Sequence, residues 1–287
     1  MGPDVFTPFG RRLVERVDVA VGQRVVDLGC GPGAVLIPAA RAAGPTAVVL
    51  GVDRAPAMLR RARTAARRAR LPNVALVRMD ADQLALREQS VDVLLAGFAL
   101  GSFPSAPHTL AACRSILRPG GRLGLSVAEG WWWEGDPRWA WHAELLASLD
   151  LRIDMSGRLG SPAVLRALLQ RVGYVDVRVS AEWAVLPFND FDAWWAWIWS
   201  HGYRAILEGM SPRQLSGYLS ATMAIGAGGG ATGGLSGHRL VTDGRLLMTD
   251  VPACSGQPPD RRGRNSVRPW FDQIRRMRWP AGVSLSP

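Results

Sequence analysis

Five residues near the N-terminus, Gly29-Cys30-Gly31-Pro32-Gly33, leave the chain few choices of fold. They follow a short β-branched run, Gln23–Leu28, that reads as a buried strand, and they precede a helical stretch, Ala34–Ala43. Alternate glycines at a strand-to-helix junction let the backbone take dihedrals closed to other residues and come close to a ligand. The helix that starts near Gly33 would then turn its unpaired N–H groups toward that ligand. Gly29-x-Gly31-x-x-Ala34, with Asp53 about 20 residues on, also satisfies the dinucleotide-binding fingerprint, so the turn alone leaves the ligand open.

The rhythm continues for a hundred residues. Ala47–Val52, Val74–Met79, Val91–Ala96 and Arg122–Val127 read as strands, apolar throughout. Between them Pro56–Arg70 reads as a helix with proline in its first turn, and Ala106–Leu117 as a helix stopped by Pro119-Gly120-Gly121. Alternation of apolar strands with helices predicts a parallel sheet covered on both faces. Pro162–Arg171 then reads as a helix closed by Gly173, Tyr174–Val179 as a strand, and Arg245–Val251 as the last strand, after an Asp243-Gly244 turn. The fold expected is α/β: a Rossmann-like, doubly wound, mostly parallel sheet of about seven strands with Trp-rich helical insertions.

Residues 25–33 together with their context resemble the class I S-adenosylmethionine-dependent methyltransferases, especially the ubiquinone/menaquinone-biosynthesis-like (type 11) branch that acts on small molecules. The resemblance runs from about Phe9 to Cys254. It is most specific from Arg24 to Val127, through Val52-Asp53-Arg54-Ala55-Pro56-Ala57-Met58-Leu59, Asp80-Ala81-Asp82, Ala96-Gly97-Phe98 and Leu117-Arg118-Pro119-Gly120-Gly121-Arg122-Leu123. It implies S-adenosylmethionine as cofactor. Asp27 would hold the methionine amino group, and Gly29, Cys30, Gly31 and Gly33 would line the methionine moiety. Asp53 would accept from both ribose hydroxyls, a task suited to a carboxylate because it can take several hydrogen bonds at once. Arg54 and Met58 would flank the adenine, Asp80 would accept from its exocyclic amine, and the Ala81 N–H would reach its ring. Gly97 and Phe98 would touch the methionine end. Two departures from the family pattern stand beside the adenine and ribose: Arg54 replaces a small apolar residue, and Ala55 replaces a serine. The Asn/Asp-Pro-Pro-Tyr/Phe signature of nucleic-acid amino-methyltransferases is absent after the fourth strand, which reads Ala96-Gly97-Phe98-Ala99.

Charge would suggest another partner. The net charge is +10, and every basic residue is arginine. Seven arginines against Asp260 and Asp272 fall after Gly256, and six more between Arg60 and Arg70 read as one solvated helix face. This pattern fits codon bias and solvated surface better than a polyanion site. No nucleic-acid partner and no membrane association are expected. The three cysteines, Cys30, Cys113 and Cys254, are an odd number without metal-like spacing, so a reducing cytoplasm is expected and a metal site is not.

Tryptophan divides the chain. Of twelve, none precedes Trp131; five lie in 131–141, one is Trp183, and four lie in 194–199. The expected organisation is a cofactor-binding core at 1–128, a first cap segment at 129–160, core again at 161–183, a second cap segment with a Gly-rich loop at 184–240, a last core strand at 241–255, and a disordered Arg/Pro-rich tail at 256–287. Both Trp-rich segments follow strand ends, where open α/β sheets bind ligands. A water-excluding aromatic cap suits a small, largely apolar or aromatic acceptor. Three residues are candidate general bases: His142, on a helix face with Trp139, Ala143 and Leu146; His201, along the helix from Trp194, Trp197 and Ile198; and Glu129, at the end of the fifth strand. His108 and His238 read as surface residues. The function expected is methyl transfer to an O, N or C atom of such an acceptor, in secondary or quinone-like metabolism. The alternatives are a cofactor-binding fold used without methyl transfer, as a cyclase or structural partner, and a nucleic-acid methyltransferase.

Overall fold

The computed structural model describes residues 6–128, 140–151, 159, 161–188, 190–200, 203–227, 235–236, 239–252 and 284–286. The chain divides into two compact units: one of Phe6–Val127, Leu159–Ala181 and Leu247–Pro287, the other of Met1–Val5, Ala128–Arg158 and Glu182–Leu246.

In the first unit, β1 (Val25–Leu28), β2 (Val49–Asp53), β3 (Val74–Arg78), β4 (Val91–Gly97) and β5 (Leu117–Ala128) pair in parallel in the order β5-β4-β1-β2-β3. The order reverses between β1 and β4, and that reversal opens a crevice at the carboxyl ends of the strands. Helices α1 (Phe6–Val17), α2 (Leu36–Ala43), α3 (Pro56–Arg68) and α4 (Ala106–Ile116) connect or flank them. The Rossmann-like α/β fold is therefore present, but the strand count is not seven. Five strands form the parallel core, and β6 (Arg178–Phe188), β7 (Leu235–Ser236), β8 (Arg239–Pro252) and β9 (Ser284–Ser286) bring the sheet to nine among the described residues.

Every residue of β1 is buried, because helices cover both faces of a central strand. Two clusters make the core. Leu28, Leu50, Leu94 and Leu125 pack with Leu110 of α4 and with Leu165 and Leu169 of α6 (Pro162–Arg171). Leu13, Val17, Leu36, Leu59, Val93 and Leu95 pack on the other side. Asn73 ties this second face together: its buried amide donates to the carbonyls of Ala40 (2.8 Å) and Gly44 (3.0 Å), which the end of α2 leaves without helical partners. At the amino ends of the strands, Asp92 accepts from the Arg24 N–H and guanidinium and pairs with Arg118, so that β1, β4 and β5 share one charge anchor.

Several local expectations change. Pro119-Gly120-Gly121 does not precede the fifth strand but lies inside it: Val91 pairs with Leu117 and Val93 with Arg122, and the residues between loop out of the ladder as a bulge. Tyr174 is not in a strand; it follows the α6 cap, is buried, and donates its hydroxyl to the Leu110 carbonyl at 3.0 Å, so β6 starts only at Arg178. Asp243-Gly244 is not a turn, since β8 runs through it, and the hairpin closes between Ser236 and Arg239. The Gly-rich stretch begins within a helix, α9 (Pro212–Ala227). Within the tail, Ser284–Ser286 are not loose chain: as β9 they pair antiparallel with Leu76, Val77 and Arg78. They satisfy an edge strand that would otherwise present open N–H and C=O groups. The rest of the tail, 253–283, lies outside the described residues.

Besides β7 and parts of β6 and β8, the described residues of the second unit form four helices: α5 (Ala140–Ser148), α7 (Phe191–Ile198), α8 (Arg204–Gly209) and α9. Asp190 caps α7, accepting from the Ala193 N–H at 2.7 Å. Trp194, Trp197 and Ile198 fall at i, i+3 and i+4 and are buried. Phe191, Trp195 and Trp199 form a second, half-buried stripe, and Trp195 also lies against Tyr218 of α9, 6.1 Å between ring centres.

Candidate active site

The glycine turn stands at the carboxyl end of β1. Gly29, Gly31 and Gly33 all have positive φ (68°, 52° and 104°), which L side chains rarely adopt. The turn is tied down on one side by the Cys30 N–H donating to the Val52 carbonyl (2.9 Å), and it closes on itself through the Gly33 N–H and the Cys30 carbonyl (2.9 Å). Gly29 needs its hydrogen for packing as well: a Cβ there would stand 2.5 Å from Cβ of Ala99. At Gly31 a Cβ would meet nothing within 4 Å. The chain has thus built an open space beside Gly31 and a packed one beside Gly29.

Asp53, at the end of β2, accepts from the Gly31 N–H through one carboxylate oxygen and from the Ala55 N–H through the other, each at 2.8 Å. It holds the turn to β2 and starts α3, while its remaining lone pairs stay available. The Met79 N–H reaches the Asp53 carbonyl at 3.3 Å, which joins the end of β3 to the same point. There Asp80-Ala81-Asp82 makes a turn in which the Asp82 N–H donates to Oδ1 of Asp80 (3.1 Å). Asp80 and Arg54 are exposed, Ala81 is buried, and Met58 is half-buried.

Asp27 differs from these. Its side chain is buried, 1% exposed, and neither carboxylate oxygen has a hydrogen-bond partner. Burial raises its pKa well above the usual carboxylate value, and the nearby Asp53 charge raises it further. The Leu36 N–H offsets part of that rise without closing a hydrogen bond of good geometry. A buried, unpaired carboxyl is costly and is found where a ligand supplies the partner. The Cys30 thiol beside it is likewise pushed up by burial and by both carboxylates, so it is an inert thiol and not a nucleophile.

At the end of β4, Gly97 and Phe98 complete the row. A Cβ on Gly97 would stand 2.5 Å from Val35 Cγ2, and Phe98 sits in the left-handed region (φ 56°) with its N–H on the Ser126 carbonyl at 2.8 Å. A phenylalanine with positive φ is strained, and such strain persists where packing over-determines it. Here Phe6 and Phe9 of α1 pack edge-on against its ring, with centres 5.5 and 5.8 Å away. α1 can come this close because Gly10 lies against the Ala34 carbonyl, where a Cβ would collide. Sequence reasoning missed α1 as part of the site. A glycine inside an otherwise helical run was the available signal.

The structure therefore gathers Asp27, Gly29, Cys30, Gly31, Gly33, Asp53, Arg54, Met58, Asp80, Ala81, Gly97 and Phe98 at the carboxyl ends of four neighbouring strands, β3, β2, β1 and β4. His142 belongs to the second unit. It is fully buried, with Nε2 2.8 Å from the Tyr218 hydroxyl and 3.2 Å from that of Tyr203. Burial lowers its pKa to about 3. Ala143, expected on the same face, is exposed. His201, Glu129 and Trp139 lie outside the described residues. Among the described residues no group of three metal-ligating side chains converges, and no helix is long and apolar enough to cross a membrane.

Residues 25–121 match the family model described as a methyltransferase domain. The chain is 33% identical over 226 residues to nocamycin O-methyltransferase of Saccharothrix syringae, covering 74% of this chain and 80% of that one. It is 39% identical over 126 residues to the aklanonic acid methyltransferase DauC of Streptomyces sp. strain C5, over 44% of this chain and 57% of the other. A crystal structure of a putative methyltransferase from Bacillus halodurans shares the fold, with a TM-score of 0.57 at 13% identity, over 86% of this chain and 99% of that one. A glycine turn with an open side, a carboxylate anchoring it from the next strand, and a relative matched over four-fifths of its length lead to one assignment: the chain belongs to the class I S-adenosylmethionine-dependent methyltransferases.

Proposed function

We propose that the chain binds S-adenosylmethionine along the carboxyl ends of β1 to β4 and methylates a small, largely apolar or aromatic acceptor. One observation carries the cofactor reading: Asp27 is buried with both oxygens unpartnered, close to a glycine whose open side could admit a ligand. The amino group of the methionine moiety is a cation with hydrogens to donate, the chemistry that this carboxyl lacks. Gly29, Cys30, Gly31 and Gly33 would line that moiety, with Gly97 and Phe98 on its far side. Asp53 would hold the ribose hydroxyls with its spare lone pairs. Asp80 and the Ala81 N–H would read the adenine between Arg54 and Met58.

When bound, the cofactor supplies a methyl already made electrophilic by its sulfonium. The protein then has to bind, orient and keep water out, bringing a nucleophile within about 3 to 3.5 Å of that carbon. The relatives are named for nocamycin and aklanonic acid, which supports an acceptor drawn from small-molecule secondary metabolism. The aromatic side chains of the second unit suit recognition of such a molecule. Of the candidate bases only His142 can be weighed. A ring with its pKa lowered to about 3, held between two tyrosine hydroxyls, is a weak base and a well-placed acceptor. We therefore assign His142 to the framework of that unit, and catalysis to proximity.

Incubation with methyl-labelled S-adenosylmethionine and separate pools of small aromatic acceptors and RNA tests the reading. Label should enter the small-molecule pool, and label in RNA alone would overturn the acceptor class. Replacing Asp53 with alanine should weaken cofactor binding by about 2 to 4 kcal/mol, roughly 30- to 1,000-fold in Kd, because it removes ribose contacts and frees Gly31 and Ala55 together. Calorimetric titration giving wild-type affinity would sink the ribose assignment.

A further inference from the structure

The turn that carries Asp80 is braced from α4 as well as by its own hydrogen bonds. Asp80 is exposed, and of its two carboxylate oxygens Oδ1 already accepts from the Asp82 N–H at 3.1 Å. The orientation of that carboxylate is therefore set by the backbone of Asp82. Asp82 is fixed in turn from α4. Thr109, fully buried, donates its hydroxyl to Oδ1 of Asp82, and Nε2 of His108 lies 3.3 Å from the Asp82 carbonyl. The Gln83 N–H closes the turn on the Asp80 carbonyl at 3.2 Å. α4 itself is held at its start by Ser105, whose hydroxyl accepts from the His108 N–H at 3.4 Å. A helix thus grips the turn through two side chains, and Oδ2 of Asp80, on an exposed residue, keeps its lone pairs available.

We propose that Thr109 is a positioning residue for adenine recognition: through Asp82 it aims the Asp80 carboxylate at the exocyclic amine. This rests on the reading of Asp80 as the adenine acceptor given above. Position matters here because a carboxylate discriminates by what it must pair with. It accepts from an amine and is repelled by a carbonyl oxygen at the same ring position. Correctly aimed, it favours a 6-amino purine over a 6-oxo purine. Released, it swings into solvent, where it neither attracts the one nor repels the other.

The test compares binding of S-adenosylhomocysteine and S-inosylhomocysteine by calorimetry. The wild type should prefer the adenosyl ligand by about 10- to 100-fold. Thr109→Val keeps the shape and removes the hydroxyl. It should weaken the adenosyl ligand roughly tenfold and strengthen the inosyl ligand by up to about tenfold, collapsing the preference. Thr109→Ser should restore it. Should Thr109→Val fail to fold, Asp82→Ala removes the same bond from the exposed side and should collapse the preference equally, while Asp82→Asn, which keeps an acceptor for Thr109, should retain it. Asp80→Ala separates the two levels. If it leaves the preference intact, Asp80 does not read the ring and both readings fall. If it abolishes the preference while Thr109→Val and Asp82→Ala preserve it, or weaken both ligands alike, the positioning role is overturned and the adenine assignment stands.

Discussion

Gly31→Val should leave a folded protein that has lost S-adenosylmethionine binding by 100-fold or more. The two halves of that expectation come from different observations. A Cβ at Gly31 would meet nothing within 4 Å, so the substitution starts into open space. Its cost to folding is the strain of a β-branched residue at φ 52°, on the order of 1 to 3 kcal/mol. The space it fills is the space that the methionine moiety would occupy, and two methyl groups there cannot be accommodated by a turn anchored to Asp53 and Val52. Gly29→Val is the matched control, since its Cβ would press on Ala99 and should unfold the protein. Thermal melts with calorimetric titration separate the two. A Gly31→Val protein with unimpaired affinity would show that the open side of the turn is not the ligand's.

Stability should fall as pH drops from 7 to 5, and His142 should be a principal cause. Its folded pKa of about 3 lies below the value near 6.5 that it takes unfolded, so the unfolded chain binds its proton first. The stability that its neutral form contributes is complete above about pH 6.5 and is lost progressively toward pH 3. At 1.36 kcal/mol per unit this amounts to about 2 kcal/mol between pH 7 and 5. Asp27 acts with opposite sign: its raised pKa makes acid favour the folded state. The informative quantity is therefore the difference between the wild type and His142→Gln, in urea titrations at both pH values. His142→Gln should flatten the acid loss, and parallel slopes would mean that the ring is not buried neutral. His142→Ala should cost roughly 3 to 5 kcal/mol at pH 7, because it opens a void and removes the ring nitrogen that two buried tyrosine hydroxyls approach.

The cofactor side of the molecule was legible because each of its residues sits where local rules are strong. Pro56 opens α3 at the first helical position, β1 is short, β-branched and followed by glycine, and Asp53 ends its strand. What was illegible depended on partners distant in the chain. Whether Pro119-Gly120-Gly121 ends an element or bulges from it is decided by pairing with Val91 and Val93. Whether Asp243-Gly244 turns or extends is likewise decided by pairing: Ser236 with Arg239 and Leu235 with Leu240 place β8 as one strand running through it. In the tail Val283-Ser284-Leu285-Ser286 alternates for only four residues, too short a signal to mark a strand, and its place is set by the open edge of β3. His142 was found by composition, but its two tyrosine partners lie 61 and 76 residues away. No helical spacing could have supplied them.

The lone carboxyl of Asp27 has a consequence for how the cofactor arrives. An acid raised by burial, with Asp53 as its charged neighbour and the equally suppressed Cys30 thiol beside it, keeps its proton well above the pH at which an exposed aspartate would release it. A cationic amine entering beside it reverses the balance and favours the ionised form. Protons and cofactor thus compete for one group, and binding should expel a proton into the buffer. Affinity should then climb as pH rises toward the pKa of the empty site. The heat measured in a titration should change with the ionisation enthalpy of the buffer in which it is made.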